Sequence, residues 1–220
     1  MNRGSSAITV IKLMMACNDL LLANQSLAEW KKELPGNMKS KQVGAKLYFL
    51  KLQLGHLFEG LKLIEEIKKD PILKALVDRG NTKSDIEMTQ LFQRLGEFLP
   101  KAAKATEFNK LVGDIRHNLT FHYNQSGTLI ERAVLDRSKR SNAKTSSVTQ
   151  ADETHRWHFK VADDIVDSII TRQIWNIPRE VDGREVDVRI ESDKKLDRAF
   201  EIAMWFLDFS GAFILKYLKN

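Results

Sequence analysis

The sequence predicts a mainly α-helical, multi-helix bundle with a small β element in its C-terminal third. The chain has 220 residues with only 4 prolines and 11 glycines, too few for an all-β fold built from many turns. At this length, and with 43% hydrophobic residues, a single domain over residues 1–220 can bury a core without disulfides. The strongest helical signal is a seven-residue repeat of apolar residues. It consists of Val43, Leu47, Leu50, Leu54, Leu57, Leu61 and Ile64.

Start and stop signals divide the chain into helices. Pro35-Gly36 ends the first helix, and Asp70-Pro71 ends the second, which contains the seven-residue repeat. Pro100 lies near the start of the helix that will carry the candidate site. Besides the repeat helix, helices are predicted for residues 6–34, 71–79, 84–99, 101–123, 129–140, 162–175 and 192–218.

The C-terminal third interrupts this helical pattern. Residues 137–152 are rich in Ser, Thr and Lys and nearly free of large apolar residues, which predicts a flexible loop. Apolar and polar residues alternate over residues 157–161, which predicts a short strand. Asp182-Gly183, followed by the same alternation over residues 186–190, predicts a hairpin with a tight turn.

Composition and absent motifs exclude several classes of function. The net charge of +6 permits nucleic-acid binding without requiring it. The single cysteine, Cys17, excludes an internal disulfide and a cysteine-based zinc site. The chain lacks Gly-x-Gly, a Walker loop, His-Glu-x-x-His and Glu-x-x-His, so we expect neither a cofactor nor a metal. Charged or polar residues interrupt the apolar stretches, which predicts no membrane span and a soluble cytoplasmic protein.

A polar cluster near the end of the predicted helix 101–123 contains the candidate functional residues. At about 100° per residue, His122 falls within the apolar face of this helix, Arg116 and Asn118 flank that face, and His117 points the opposite way. One interpretation is structural, with a core histidine and an arginine paired to an acid such as Asp114. The other is an anion site, where the arginine binds phosphate and a histidine transfers protons. The apolar face comprises Phe108, Leu111, Val112, Ile115 and Leu119.

The segment from Arg116 to His122 resembles the R-φ-x-x-x-x-H motif of the HEPN superfamily, with His117 at the polar φ position. The resemblance covers the motif and surrounding helices, from about residue 39 onward. It implies a HEPN-like helical bundle, catalytic roles for Arg116 and His122, and a supporting role for His117. Asn118 is added as a second supporting residue because it flanks the apolar face. Many members of the superfamily are metal-independent endoribonucleases that form homodimers in which two motifs face each other.

Two hypotheses of function follow. The first is a HEPN-like endoribonuclease, the toxin or effector of a prokaryotic toxin–antitoxin or abortive-infection system, with RNA, a second copy and an antitoxin or defence protein as partners. The second is a non-catalytic helical module for dimerisation or for binding a protein or nucleic acid. An open cleft around Arg116 and His122 would favour the enzyme, whereas an enclosed His122 and an arginine tied to an acid would favour the module.

A set of basic residues follows the motif along the chain. Their positive charge suits an RNA backbone, while the alternative is an ordinary solvated surface. These candidate RNA-binding residues are Arg132, Arg137, Lys139, Arg140 and Lys144.

Overall fold

A computed structural model of the chain describes residues 3–29, 39–120, 127–139, 148–149 and 158–219. Within these ranges the protein is mainly helical with two small antiparallel sheets, so the predicted fold class is confirmed. The α-helices are α1 (Arg3–Glu29), α2 (Lys39–Lys69), α3 (Pro71–Asp78), α4 (Lys83–Gly96), α5 (Ala105–Phe108), α6 (Thr128–Ser138), α7 (Lys160–Ser168) and α8 (Val188–Lys219). Three π-helical segments, π1 (Asn109–Gly113), π2 (Arg116–Thr120) and π3 (Ile169–Ile174), accompany strands β1 (Val148–Thr149), β2 (His158–Phe159), β3 (Glu180–Val181) and β4 (Arg184–Glu185).

Helix α2 is the centre of the bundle. Its predicted apolar repeat is buried from Leu50 to Ile64, and Leu54, Leu57 and Ile64 are completely enclosed. Helices α1, α7 and α8 and the π1 and π2 segments all pack against it. Gly60 allows the closest approach to α8, because a Cβ atom at this position would lie 2.7 Å from Cζ of Phe206. The repeat therefore contacts several neighbours rather than one coiled-coil partner.

Helix α1 is joined to the rest of the bundle by polar contacts as well as by its apolar face. The Ser6 hydroxyl donates a hydrogen bond of 2.7 Å to Asp70, and the Gln53 amide donates one of 2.6 Å to Asn24. Residues Gly4–Glu29 are nevertheless long and apolar enough to cross a membrane, with a mean hydropathy of 1.5 and 33% of the apolar window buried. The sequence predicts no membrane span because charged and polar residues interrupt the apolar stretches, and α1 meets the criterion by length and composition only. The packing of α1 into the bundle is compatible with a soluble protein.

Local capping explains where α3 and α4 begin. Asp70 accepts hydrogen bonds from the backbone N–H groups of Ile72 and Leu73, and α3 begins at the residue after Asp70, Pro71. At α4, Thr82 and Asp85 form a capping box, in which each side chain accepts from the other residue's backbone N–H. Lys216 of α8 also pairs with Asp85 at 2.7 Å, so this helix start is tied to the C-terminal helix.

We expect Asp85→Asn to lower the stability of the protein at neutral pH and to have a smaller effect at acidic pH. Hydrogen bonds from Lys216 and Thr82 lower the pKa of Asp85 from 3.8 to about 2. Because the folded pKa is the lower one, the stabilisation is complete above pH 4 and is lost as the pH falls towards 2. Thermal melts should show a lower melting temperature for Asp85→Asn than for the wild type at pH 7, with a smaller difference near pH 2. Asp197→Asn, an exposed residue of α8, is the control, and an equal loss in both variants would contradict the prediction.

The helix that carries the motif differs from its prediction. Lys101 has a φ of +69°, so the chain turns after Pro100 and α5 begins only at Ala105. From Asn109 the backbone widens into π-helix, and the N–H of Asp114 donates to the carbonyl of Asn109, five residues back. The predicted end of this helix, including His122, lies outside the described residues.

The predicted hairpin is present but shorter than expected. Strands β3 and β4 pair across Asp182 and Gly183, whose φ values of 51° and 73° suit the tight turn of a two-residue loop. The predicted continuation of the strand through residues 186–190 was wrong, because α8 begins at Val188. Asp187 accepts a 2.8 Å hydrogen bond from the N–H of Arg189, which starts a helix where a strand was expected.

The predicted loop and first strand also have different limits. Arg137 and Ser138, at the start of the predicted loop 137–152, belong to α6. Val148 and Thr149 pair with β2, and the rest of the predicted loop beyond Lys139 lies outside the described residues. Strand β2 ends at Phe159, and α7 starts at once at Lys160, so the strand predicted for residues 157–161 is shorter at its C-terminal end.

Candidate functional site

Arg116 lies at the start of π2 and packs against α2. Its Nη2 atom is 2.8 Å from Oε1 of Glu59, and its guanidinium carbon is 5.8 Å from the centre of the Phe58 ring. The side chains of Arg116 and Glu59 are 23% and 41% exposed, so the pair lies at the rim of the bundle. The acid that binds Arg116 is therefore on α2 and is not Asp114, which the structural interpretation had named.

Lys62 completes a charged cluster around Glu59. Its ammonium nitrogen is 2.9 Å from Oε2 of Glu59 and 4.9 Å from the centre of the Phe58 ring. Burial raises the pKa of Glu59, but the hydrogen bonds and charges of Lys62 and Arg116 outweigh burial and lower it. Glu59 is thus ionised at neutral pH, and the cluster of one acid and two cations keeps a net positive charge.

His117 is exposed and so lies away from the apolar face, as predicted, but it also lies beside Arg116. Its Nδ1 atom is 3.4 Å from Nη1 of Arg116, at the outer limit of a hydrogen bond. Its ring meets Phe58 edge to face, with centroids 5.1 Å apart. Consecutive side chains of a helix differ in direction by about 100°, and the long side chain of Arg116 spans that angle to reach the ring of His117. For Nδ1 to accept from the guanidinium, the neutral imidazole must carry its proton on Nε2.

The apolar face predicted beneath the motif is confirmed. The backbone of π2 is held against α2 by Thr120, whose hydroxyl donates to the carbonyl of Lys51 at 3.2 Å. Gly55 makes room for this contact, because a Cβ atom there would lie 2.8 Å from Cγ2 of Thr120. Asn118 uses its amide within the helix, donating at 2.7 Å to the carbonyl of Asp114. The buried residues of the face are Phe108, Leu111, Val112, Ile115 and Leu119.

Of the three guanidinium nitrogens of Arg116, Nη1 and Nη2 contact His117 and Glu59, whereas Nε is buried and lacks a hydrogen-bond partner among the described residues. A buried donor without an acceptor lowers stability, so such a group calls for a functional or structural explanation. The position fits an arginine that is arranged for a ligand rather than for maximum stability.

A cavity of about 340 Å³ lies next to this cluster. Phe58 forms a shared wall, since it contacts Arg116 and His117 and also lines the cavity. Phe98, Phe108 and Lys62 also line it, as do the acidic residues Glu65 and Glu66. An aromatic cavity beside a cationic group is suited to a flat ring attached to an anion.

The predicted RNA-binding residues fall into different environments. Arg137 pairs with Asp164 of α7 at 2.7 Å, which uses it within the fold. Arg132 and Lys139 line a separate cavity at α6. Arg140 and Lys144 lie outside the described residues. The structure therefore brings only Arg132 and Lys139 of this set to one cavity. Within the described ranges there is no group of three or more metal-ligating side chains.

Sequence reasoning missed the α2 side of the site. Phe58, Glu59 and Lys62 lie in the repeat helix, far from the motif along the chain. One signal was present, because Glu59 is the first acidic residue of α2 and follows twenty helical residues, from Lys39 to Phe58, without an acid.

Comparisons with known proteins were made at three levels. The chain matches no protein-family model, no curated protein and no solved structure. The HEPN resemblance thus remains a prediction from the motif, and function is argued from the chemistry of the side chains.

Proposed function

We propose that this protein is a HEPN-like, metal-independent endoribonuclease that acts as the effector of a prokaryotic toxin–antitoxin or abortive-infection system. The observation that carries the proposal is the pairing of the Arg116 guanidinium with the His117 imidazole at the rim of the bundle, in the motif that ends at His122. A fixed cation and titratable imidazoles are the groups that phosphodiester cleavage requires.

In the proposed reaction the 2′-hydroxyl of RNA attacks the adjacent phosphorus atom. A general base takes the hydroxyl proton, the bond from phosphorus to the 5′-oxygen breaks, and a general acid protonates that oxygen. The products are a 2′,3′-cyclic phosphate and a 5′-hydroxyl end. His122 serves as base or acid, and Arg116 stabilises the extra negative charge on the phosphorane-like transition state.

The α2 residues support this role for Arg116. Glu59 holds one edge of the guanidinium at 2.8 Å and so fixes its direction. Lys62 offsets the charge of Glu59, so the cluster still attracts a phosphodiester. The aromatic cavity behind Phe58 is suited to a base that flanks the reacting phosphate, because aromatic side chains stack with bases of any sequence.

The proposal includes partners and a cellular location. RNA is the substrate, and a second copy of the chain supplies a facing motif in a homodimer. An antitoxin or defence protein would control the activity, and the site of action would be the cytoplasm. Arg132 and Lys139 add positive charge for the RNA backbone.

The second candidate is a non-catalytic HEPN-like module for dimerisation or partner binding. The ion pair between Arg116 and Glu59 favours it, because an arginine tied to an acid can serve the fold alone. The two candidates differ in whether the chain cleaves RNA.

Incubation of the purified protein with total RNA tests the proposal. We expect cleavage that is equally fast with and without a metal chelator, and fragments that end in a 2′,3′-cyclic phosphate. A DNA strand of matching sequence should resist, because it lacks the attacking 2′-hydroxyl. If a folded chain with a normal melting curve cleaves no RNA, the non-catalytic module is the better description. If the chelator stops cleavage, the metal-independent mechanism is wrong.

A further inference from the structure

A second cavity, of about 430 Å³, contains none of the residues assigned a chemical step in the proposed cleavage. It is formed by α6, by the junction of α7 and π3, and by the segment that precedes β3. Asp136 is the acidic residue that lines it. Against this single negative charge stand four cationic side chains, Arg132, Lys139, Arg172 and Arg179.

Two of the four cations are held in place by the fold. Nη1 of Arg172 donates to the carbonyls of Ile177 and Pro178 at 2.9 and 2.8 Å. Arg179 forms an ion pair with Asp136. The side chains that line the cavity therefore carry four positive charges and one negative charge, a formal sum of +3.

The other two cations have no such role in the fold. Arg132 and Lys139 are exposed and form no ion pair with any residue that the structure describes. Two cations with no acidic partner at the edge of one cavity repel each other, which an anion between them would relieve.

The wall of the cavity also contains polar atoms that lack partners. Ser168 is only 8% exposed, and its hydroxyl is buried without a hydrogen-bond partner among the described residues. Gln173 donates to the carbonyl of Leu129 at 2.8 Å, while its Oε1 atom is buried and equally unpartnered. The wall thus offers an unused hydroxyl donor and an unused carbonyl acceptor to a ligand.

We propose that this cavity binds a phosphate monoester, either the terminal phosphate of an RNA chain or that of a free nucleotide. A monoester carries a charge of about −1.5 to −2 at neutral pH, so it matches a cavity of net positive charge better than a singly charged diester does. Arginine forks and the Ser168 hydroxyl would donate to its oxygens, and Gln173 would accept from a sugar hydroxyl. The volume is within the range of small-ligand sites.

Fluorescence polarisation with a 2′-O-methyl oligoribonucleotide tests this site. Such a probe cannot be cleaved through its 2′-hydroxyl, so binding is measured independently of the proposed cleavage. We expect the 5′-phosphorylated probe to bind at least tenfold more tightly than the same probe with a 5′-hydroxyl end. Competition by adenosine monophosphate identifies the source, since strong competition indicates a free nucleotide and weak competition indicates an RNA end.

Two variants test whether the 5′-phosphate binds in this cavity. Arg132→Gln and Ser168→Ala should each remove most of the preference for the 5′-phosphate, and Ser168→Ala should leave the melting temperature unchanged because its hydroxyl has no partner in the fold. Lys68→Gln, an exposed cation of α2, is the control for general charge and should keep the preference. Equal binding of the two probes by the wild type, or an unchanged preference in Arg132→Gln, would overturn the proposal. Neither result would bear on the proposal that Arg116 takes part in RNA cleavage.

Discussion

Arg116→Ala is expected to reduce the rate of RNA cleavage by a factor of about 10² to 10³, because it removes the cation that stabilises the transition state. His122→Ala should reduce it by about 10² to 10⁴, as is typical for the loss of a positioned acid or base. Both residues act on one transition state, so the double variant should be little worse than the worse single variant. The measurement is the initial rate on a defined RNA substrate, with melting curves recorded for every variant.

Stability measurements separate the catalytic role from a structural one. The ion pair between Arg116 and Glu59 is partly exposed, and such pairs contribute about 0–1 kcal/mol, so Arg116→Ala should melt close to the wild type. Arg94→Ala is the matched control, because Arg94 also lies over an aromatic ring, that of Trp205, away from the motif. The proposed mechanism is wrong if both Arg116→Ala and His122→Ala melt normally and cleave RNA at the wild-type rate.

The position of His117 changes what is expected of it. A helical wheel directs it away from the apolar face and predicts that its removal costs less than the loss of Arg116 or His122. The structure places it 3.4 Å from Arg116, where it helps to orient the guanidinium. His117→Ala should therefore lower the cleavage rate measurably, but by less than the loss of Arg116 itself.

Phe206→Ala is expected to have the largest effect on stability. Phe206 is completely buried on α8 and packs over Gly60 of α2. Replacing a buried phenylalanine with alanine costs about 3–5 kcal/mol of unfolding free energy, since it loses apolar burial and leaves a cavity. At about 2–4 °C per kcal/mol for a chain of this size, the melting temperature should fall by roughly 10 °C.

Phe200→Ala is the control for this substitution. Phe200 belongs to the same helix but is 49% exposed, so its removal should cost far less free energy. Denaturant titration of both variants gives the comparison. A similar loss in the two variants would contradict the assignment of Phe206 to the core.

The features that sequence alone predicted are those set by local chemistry or by a long regular pattern. The apolar repeat of α2, the Asp70-Pro71 helix start and the Asp182-Gly183 turn all depend on residues that are close together in the chain. The start of α8 was misjudged because alternation over residues 186–190 resembles a strand, whereas the Asp187 side chain begins a helix. Residue spacing alone does not show whether the alternating pattern or the helix start at Asp187 determines the structure.

The candidate site was predicted in part. The positions of Arg116 and the buried face below it follow from helical spacing, but the partner Glu59 comes from a distant part of the sequence. The π-helical backbone also depends on packing between segments. A Cβ atom at Gly113 would lie 3.2 Å from Cε2 of Phe58, so this stretch approaches α2 very closely. Such a contact cannot be obtained from the motif alone.

Three consecutive residues of α2 contact two different parts of the protein. Phe58 and Glu59 contact Arg116, and Gly60 lies against Phe206. The position of Arg116 therefore depends on the spacing between α2 and α8, although no residue of α8 belongs to the motif. A displacement of about 1 Å can cost a hundredfold in rate, so evolution of this site would be constrained by the size of the side chain at position 60.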